Sequence, residues 1–277
     1  MSIHSHRYQR YDGVLESPRT RFWPIAEAEL RRIAKEKWAR RLMVLAWMPA
    51  LYQAVMLYAK LVVKKAVGID LGAFGIYQNL LQAELGFVAV ILAAFGAGLI
   101  SRDIETKALT LYFTRPVDAA QYHMGKFIAA ASLVLLVTFV PGVLLGIAQA
   151  VMGEVFEVGP FLDGLGRLTL ASAGMAFTSA SLILLLSSSG WSSRYVGATW
   201  LGLFTLLEIA RSALSSVFGR SPLLDIMSLG RLFTGSVDFL FAGQTDQLPA
   251  VIALWGFGVF FAVCLRVRIS TLERVRS

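Results

Sequence analysis

The sequence is poor in the residues that catalytic, metal-binding and disulfide-bonded proteins use. It has 1 Cys and 3 His among 277 residues, which excludes an intrachain disulfide and leaves no metal-ligand spacing. Charged residues make up only 16% of the chain, against about 25% in typical soluble domains. With 56% hydrophobic residues and a mean hydropathy of +0.64, the chain is not disordered. The same hydropathy argues against nucleic acid as a partner, despite the net charge of +8.

Motifs for nucleotide binding and nucleophilic catalysis are also missing. The dipeptide Gly125-Lys126 is followed by Phe127 and has no glycine-rich loop before it, so it is not a P-loop. The serine run over 187–189 does not form a nucleophile elbow. The sequence therefore predicts no ATP site and no catalytic residue in this chain.

Long apolar runs are what the sequence has in abundance. A helix needs about 20 mostly apolar residues to cross roughly 30 Å of hydrocarbon. Continuous runs of this length favour helices over the alternating strands of a barrel. The predicted fold is an all-α integral membrane protein, with a transmembrane domain over 42–265. Its six transmembrane helices are predicted at 42–63, 79–100, 127–152, 168–188, 195–214 and 249–265.

The distribution of basic residues predicts the orientation of these helices. About 19 of the 26 Lys and Arg residues lie before residue 42, in the loop over 101–126, at Arg194, or in the tail over 266–277. With six spans, all of these segments lie on one side of the membrane, and the positive-inside rule makes that side the cytoplasm. Both termini are therefore predicted to be cytoplasmic. Because the first 41 residues hold no apolar run, the first span would act as an uncleaved anchor.

Two segments outside the spans are predicted to lie at the membrane surface. After a polar tail over 1–21, the stretch over 22–41 mixes basic residues with apolar ones at 3–4 spacing. This pattern predicts an amphipathic helix in the cytoplasmic interface, in contact with lipid headgroups; a solvated basic stalk is the alternative. The stretch over 215–248 is too charged to cross and too apolar for a plain loop. Short re-entrant helices on the outer side are therefore expected before the last span.

The loop over 101–126 carries the most specific pattern in the sequence. It opens with Arg102-Asp103-Ile104-Glu105, passes through a leucine-rich and aromatic stretch to Arg115-Pro116-Val117, and ends at Gly125-Lys126-Phe127. Charges beside an apolar knob suit docking onto a partner protein, although an ordinary basic loop is the alternative. This run resembles the signature of membrane subunits of ABC transporters of the ABC-2 type. The six-span layout extends the resemblance over nearly the whole chain.

The resemblance implies a non-catalytic permease subunit of an ATP-driven exporter in the cytoplasmic (inner) membrane of a bacterium. Its partners would be a separate ABC ATPase, which would bind ATP and magnesium, and a second permease subunit in a homodimer or heterodimer. By the same analogy, the loop would be the element that couples to the ATPase. The residues expected to make the coupling contacts, with the proline shaping the bend, are Arg102, Asp103, Glu105, Arg115, Pro116 and Lys126.

Three charged residues fall inside predicted spans. At the bilayer centre such a charge costs about 2.5–3.5 kcal/mol, so each one needs a reason. Glu84 lies in the second span, and Glu208 and Arg211 lie three residues apart on one face of the fifth. They are candidates for a polar patch along the substrate path. The alternative is structural: Glu208 and Arg211 neutralise each other, and Glu84 caps a neighbouring helix or snorkels to the interface.

Two other functions fit the sequence less well. The segment over 215–248 would also suit a membrane subunit that passes ATP-driven motion to a periplasmic or envelope partner without moving cargo. An ion-coupled secondary carrier would need inverted halves and charges at mid-membrane, and the sequence shows no such repeat. The class of cargo is left open by the sequence.

Overall fold

The computed structural model describes residues 21–67, 75–108, 118–152, 158–219 and 221–274. Every regular element in these ranges is helical. A π-helical turn, Leu92–Gly96, lies between the helices Ile76–Ile91 and Gly98–Glu105, and a 3-10 turn, Thr245–Gln247, precedes the helix Leu248–Arg274. The helices are α1 Phe22–Lys35, α2 Lys37–Ala46, α3 Met48–Val67, α4 Ile76–Ile91, α5 Gly98–Glu105, α6 Ala119–Met152, α7 Val158–Ser187, α8 Ser193–Phe218, α9 Pro222–Asp225, α10 Leu229–Ala242 and α11 Leu248–Arg274.

Within the described residues, six helical stretches are long and apolar enough to cross a membrane, which confirms the predicted all-α, six-span fold. This includes the fifth stretch, which keeps its helix despite carrying Glu208 and Arg211. We number them in chain order as span 1 to span 6: Lys37–Val63, Ile76–Glu105, Ala119–Met152, Val158–Ser187, Ser193–Phe218 and Thr245–Thr271.

The spans differ in how much of their surface is covered by the rest of the chain. The most apolar part of span 4 has 72% of its residues buried, and the most apolar part of span 2 has 61% buried. The corresponding values are 17% in span 1 and 6% in span 5. Spans 2, 3 and 4 therefore form the core of the bundle. Spans 1 and 5 leave most of their apolar surface to lipid or to another subunit.

The N-terminal segment folds as two helices rather than the single helix predicted over 22–41. The chain breaks at Glu36, whose backbone is extended with φ −72° and ψ 125°, and α2 then forms the first part of span 1. The apolar residues Ile25 and Ile33 of α1 are buried, and Ile25 packs against Gly125 of α6. This side of α1 therefore contacts protein, while Trp23 and Trp38 stay exposed. Its position in the membrane interface stays a prediction.

The predicted loop over 101–126 is shorter than expected. Helix α5 continues to Glu105, and α6 begins at Ala119. The charged residues on either side of the loop are therefore part of the helices, which extend one to two turns beyond the predicted ends of the spans. Arg102, Asp103 and Lys126 thus lie on helices, where their backbone is fixed. Arg115, Pro116 and the aromatic stretch before them lie outside the described residues.

The segment before the last span holds the short helices that the sequence predicts. Span 5 continues to Phe218, and α9 and α10 follow. The hydroxyl of Ser228 caps α10 by accepting the Arg231 N–H, and α10 ends at Gly243 with φ 66°. Leu232 and Phe233 of α10 are buried in the main core. How deeply α10 enters the membrane stays a prediction.

Candidate functional site

Charged side chains gather at the two ends of the bundle. Span 2 starts beside α10, where Gln78 donates a hydrogen bond to Asp238. It finishes near α1, where Lys126 bridges Asp103 and Glu29 of α1. We call these the α10 end and the α1 end.

Lys126 is the centre of the charged group at the α1 end. Its side chain is 0% exposed, and its Nζ lies 2.6 Å from Glu29 Oε1 and 2.6 Å from Asp103 Oδ2. The Tyr122 hydroxyl donates to the same Asp103 oxygen at 2.8 Å, and its ring centroid lies 5.4 Å from the ammonium. One buried cation therefore joins α1, α5 and α6.

Further ion pairs surround this centre. Arg32 donates two hydrogen bonds to Glu29 Oε2, at 2.7 and 2.9 Å. Arg32 and Arg102 each lie 3.7 Å from Glu36 Oε1, at the break between α1 and α2. The group contains as many carboxylates as cations, so it is neutral as a whole. Its centre is buried, whereas Arg32, Glu36 and Arg102 around it are 35–40% exposed, and the pairing of the charges lets the centre be buried. We call the group the Lys126 cluster: Glu29, Arg32, Glu36, Arg102, Asp103, Tyr122 and Lys126.

The Glu29 carboxyl is held in its charged form. Burial alone would raise the pKa of Glu29. The Lys126 ammonium and the Arg32 guanidinium lower the pKa by more than burial raises it, through their charge and their hydrogen bonds, so the net pKa lies below the ordinary value of 4.5. The carboxylate is therefore ionised at neutral pH, as the pairing with Lys126 requires.

Close backbone packing adds to the charge contacts. A methyl group built on Gly125 would lie 2.7 Å from the Phe22 carbonyl oxygen and 2.8 Å from the Ile25 Cβ. Only a glycine lets α1 approach α6 this closely. The approach places Glu29, one turn after Ile25, next to Lys126.

Span 5 is attached to span 2 at the π-helical turn. The Trp200 indole N–H donates to the Ala89 carbonyl at 2.8 Å. A Cβ built on Gly197 would lie 2.6 Å from the Ala93 carbonyl oxygen. Single π turns inside helices are rare and occur frequently at functional sites.

Span 4 is attached to the same part of span 2. The Ser187 hydroxyl accepts the backbone N–H groups of Ile100 at 3.0 Å and Ser101 at 2.9 Å, and donates to the Ala97 carbonyl at 2.7 Å. It thus bonds backbone groups just after the π turn, where the helical pattern restarts. Spans 4 and 5 are therefore both bonded to the backbone of span 2 near the π turn.

Arg211 is the centre of the charged group at the α10 end. Its NH2 lies 2.7 Å from Glu208 Oε1 and its NH1 3.2 Å from Asp225 Oδ1. The Ser228 hydroxyl also donates to Glu208, and Arg231 lies 4.0 Å from Glu208. The Glu208 side chain is 42% exposed, although Arg211 itself is 8% exposed. These five residues form the Arg211 cluster.

A polar cavity of about 400 Å³ adjoins the Arg211 cluster, and Arg211, Asp225 and Arg231 line it. Glu84 lies apart from it, with a side chain that is 0% exposed. Among the described residues, neither oxygen of the Glu84 carboxyl has a hydrogen-bond partner. The structure thus brings two of the three predicted path residues together and places the third in the packed interior.

The predicted coupling residues are likewise divided. Arg102, Asp103 and Lys126 come together in the Lys126 cluster, Glu105 is exposed at the end of α5, and Arg115 and Pro116 lie outside the described residues. Sequence reasoning missed Glu29 and Tyr122. Tyr122 could have been found, because it lies one turn before Lys126 on the same helical face. Glu29 could not, because 97 residues separate it from Lys126.

The fold and these clusters define a multi-pass helical membrane protein with a buried ionic joint at one end and a polar cavity at the other. A family model described as ABC-2 family transporter protein matches residues 23–265. The chain belongs to this family, which confirms the resemblance seen in the sequence. It is therefore a membrane permease component of a class that pairs with an ABC ATPase. Comparison with curated proteins finds no match.

Proposed function

We propose that this chain is the translocating permease of an ATP-driven exporter in the bacterial inner membrane, with its α1 end and both termini in the cytoplasm. A separate ATPase, which binds ATP and magnesium, docks at the α1 end and moves it. The observation that supports this most is the Lys126 cluster, because it ties three elements of that end into one unit.

Burial makes this unit rigid. Removing one partner of a buried ion pair leaves an uncompensated charge and costs about 3–5 kcal/mol. Small displacements of α1 relative to spans 2 and 3 are therefore resisted, and a force on one element moves all three. Lys126 and Asp103 act as positioning residues in this scheme, since their side chains are 0% and 13% exposed.

The contacts with the ATPase fall to the exposed residues of the same end. Glu105 and Lys107 are exposed where α5 finishes, directly before the stretch that contains Arg115 and Pro116. Opposite charges at such a position give orientation to a docked partner. The Lys126 cluster then carries the motion to span 2, and the contacts at the π turn carry it to spans 4 and 5.

A second permease subunit completes the path. Spans 1 and 5 are covered least by the chain itself, and span 5 presents exposed apolar side chains such as Leu206 and Ile209, at 65% and 64%. Large apolar surfaces of this kind are buried by lipid or by another helix. A path between two such subunits would pass the Arg211 cluster, so Glu208 and Arg211 are its candidate polar residues.

The test is ATPase stimulation in a complex purified with the cognate ATPase subunit. The double variant Glu105→Lys with Lys107→Glu should lose most of the stimulation and weaken the complex. Its control is the charge reversal Asp163→Lys, at a carboxylate that is 60% exposed on another helix. Arg167 is left in place, because it also donates to the Leu240 carbonyl of α10 at 2.6 Å. Unchanged stimulation in the first variant, or an equal loss in the control, would reject the coupling assignment.

Orientation is tested separately by cysteine labelling. Cys264 is the single cysteine, so Cys264→Ser gives a clean background for one new cysteine at Glu105 or at Gln244. A membrane-impermeant maleimide added to sealed inside-out vesicles should label position 105 and spare position 244. The opposite pattern would place the α1 end outside and overturn the proposal.

A further inference from the structure

Two cavities meet at the α10 end. The polar cavity described above, of about 400 Å³, is lined by Arg211, Asp225, Arg231, Asp238, Asp246 and Gln247 among others. A mostly apolar groove of about 490 Å³ is lined by Leu85, Phe204, Thr205, Glu208, Ile209 and Gly230. Arg231 and Thr234 of α10 line both. A polar chamber and an apolar groove thus lie side by side across one turn of α10.

The apolar groove faces away from the core of the bundle. Ile209 is 64% exposed, and only 6% of the apolar part of span 5 is buried. Span 5 contributes Phe204, Thr205, Glu208 and Ile209 to the groove. Because the lining surface is mostly apolar despite Glu208, the groove adjoins hydrocarbon when the span crosses the membrane. A molecule in the bilayer could therefore enter the groove from the side, without passing through water.

The charges of the polar cavity select what binds there. Among the described residues that line the cavity, three are carboxylates (Asp225, Asp238 and Asp246) and two are guanidinium groups (Arg211 and Arg231). These described residues therefore carry a net negative charge. Asp238 is fixed in place, because its Oδ1 accepts hydrogen bonds from Gln78 at 2.6 Å and Gln82 at 2.9 Å.

Arg231 gives the same cavity a cation that a ligand can reach. Its side chain is 42% exposed and lies 4.0 Å from Glu208, its carboxylate neighbour in the cluster. A guanidinium with free donors binds phosphate well. Arg231 and Asp238 lie seven residues apart on one face of α10, and Asp246 follows that helix. A guanidinium and carboxylates along one cavity suit a head group that carries both an amine and a phosphate.

We propose that the α10 end binds an amphiphile with a zwitterionic head, of the aminophospholipid type. The amine lies toward Asp238 and Asp246, the phosphate contacts Arg231, and the acyl chain lies in the groove along Phe204 and Ile209. Binding of such an amphiphile would name the class of ligand that the proposed permease moves, and its role in transport rests on that proposed function. The site itself rests on the two cavities and their charges.

The test is photo-crosslinking of the purified chain in nanodiscs. The probe is phosphatidylethanolamine with a diazirine in its acyl chain, and mass spectrometry locates the labelled peptides. Labelling should concentrate on 204–209 and 230–234. Unlabelled phosphatidylethanolamine should compete about tenfold better than phosphatidylglycerol, which has no amine, as expected for loss of one charged contact. Equal competition, or labelling spread evenly over all spans, would show bulk lipid contact and overturn the proposal.

Variants distinguish the contribution of the head-group contacts from that of the groove that holds the acyl chain. Asp246→Asn and Arg231→Gln should each lower labelling several-fold, and Ile209→Trp should lower it by filling the groove. Asp163→Asn is the control, because Asp163 is 60% exposed and pairs with Arg167 instead. Soluble phosphoethanolamine should compete poorly, since it cannot use the groove. If it competes as well as the lipid, the groove contributes nothing and the amphiphile proposal fails.

The outcome is independent of the coupling proposal. Crosslinking needs no ATPase, so a failure here, with ATPase stimulation intact, rejects the ligand class and leaves the permease function in place. If crosslinking is specific but the variants at Glu105 and Lys107 leave ATPase stimulation unchanged, the coupling assignment is rejected and the ligand class is kept.

Discussion

The two ends of the bundle use the same ionic unit in different surroundings. At the α1 end, Lys126 lies between Glu29 and Asp103 and is 0% exposed. At the α10 end, Arg211 lies between Glu208 and Asp225, whose side chains are 42% and 31% exposed. A cation between two carboxylates is a rigid joint when water is excluded and an adaptable site when water or a ligand reaches it. Exposure, rather than residue type, separates the proposed coupling element from the proposed ligand site.

Loss of the cation at the α1 end should have the largest effect on stability. Lys126→Met leaves two carboxylates without their shared partner and should lower the free energy of unfolding by about 3–5 kcal/mol. Chemical unfolding in detergent measures the change. Lys126→Met combined with Glu29→Gln and Asp103→Asn removes all three charges and should recover much of the loss. If the single variant is as stable as the parent, the joint is not buried as described.

Separation of α1 from α6 should come next in size. Gly125→Ala places a methyl group 2.7 Å from the Phe22 carbonyl oxygen, and such overpacking costs about 1–3 kcal/mol. Hydrogen–deuterium exchange should show faster exchange in α1. Gly202→Ala is the control, because a methyl group there meets nothing within 4 Å, and it should leave exchange unchanged.

Loss of the cation at the α10 end should be milder. Arg211→Met should lower the free energy of unfolding by about 1 kcal/mol, since Glu208 and Asp225 keep access to water. The same chemical unfolding gives the comparison with Lys126→Met. Equal losses at the two ends would remove the distinction between a buried joint and an open site.

Acid should loosen the α1 end. Because the folded-state pKa of Glu29 lies below its ordinary value of 4.5, its contribution is complete above pH 4.5 and is lost as the pH falls through the folded-state pKa. A spin label on a cysteine at the exposed Ala28, in the Cys264→Ser background, should become more mobile over that range. Glu29→Gln should give a more mobile label already at pH 7 and a smaller further change in acid than the parent shows, since Asp103 and Glu36 keep their carboxylates.

The sequence predicts the spans well and the joints between them poorly. Hydropathy located all six spans, and the charge pattern located Arg102, Asp103 and Lys126 at one end. The break at Glu36 escaped prediction, because apolar spacing continues through it. The pairing of Glu29 with Lys126 and the attachment of Trp200 to Ala89 depend on helix packing between distant segments, which no local pattern encodes.

The predicted path residues show the same limit. Glu208 and Arg211 could be paired from their spacing alone, because residues three apart share a helical face. Asp225, which completes the Arg211 cluster, lies on a four-residue helix that carries no periodic signal. Glu84 looked equivalent to Glu208 in the sequence, and the structure places it in the packed interior because the surrounding face of α4 is buried.

The most direct test of the central claim is an ATP-dependent distance change at the α10 end. Spin labels at Gln244 and Val217, in the Cys264→Ser background and with the ATPase bound, report whether motion reaches the cavity. The account predicts that ATP and magnesium shift this distance in the parent and that the shift is lost when Glu29→Gln, Asp103→Asn and Lys126→Met are combined, although the complex stays assembled. An equal shift in the charge-free variant would contradict it.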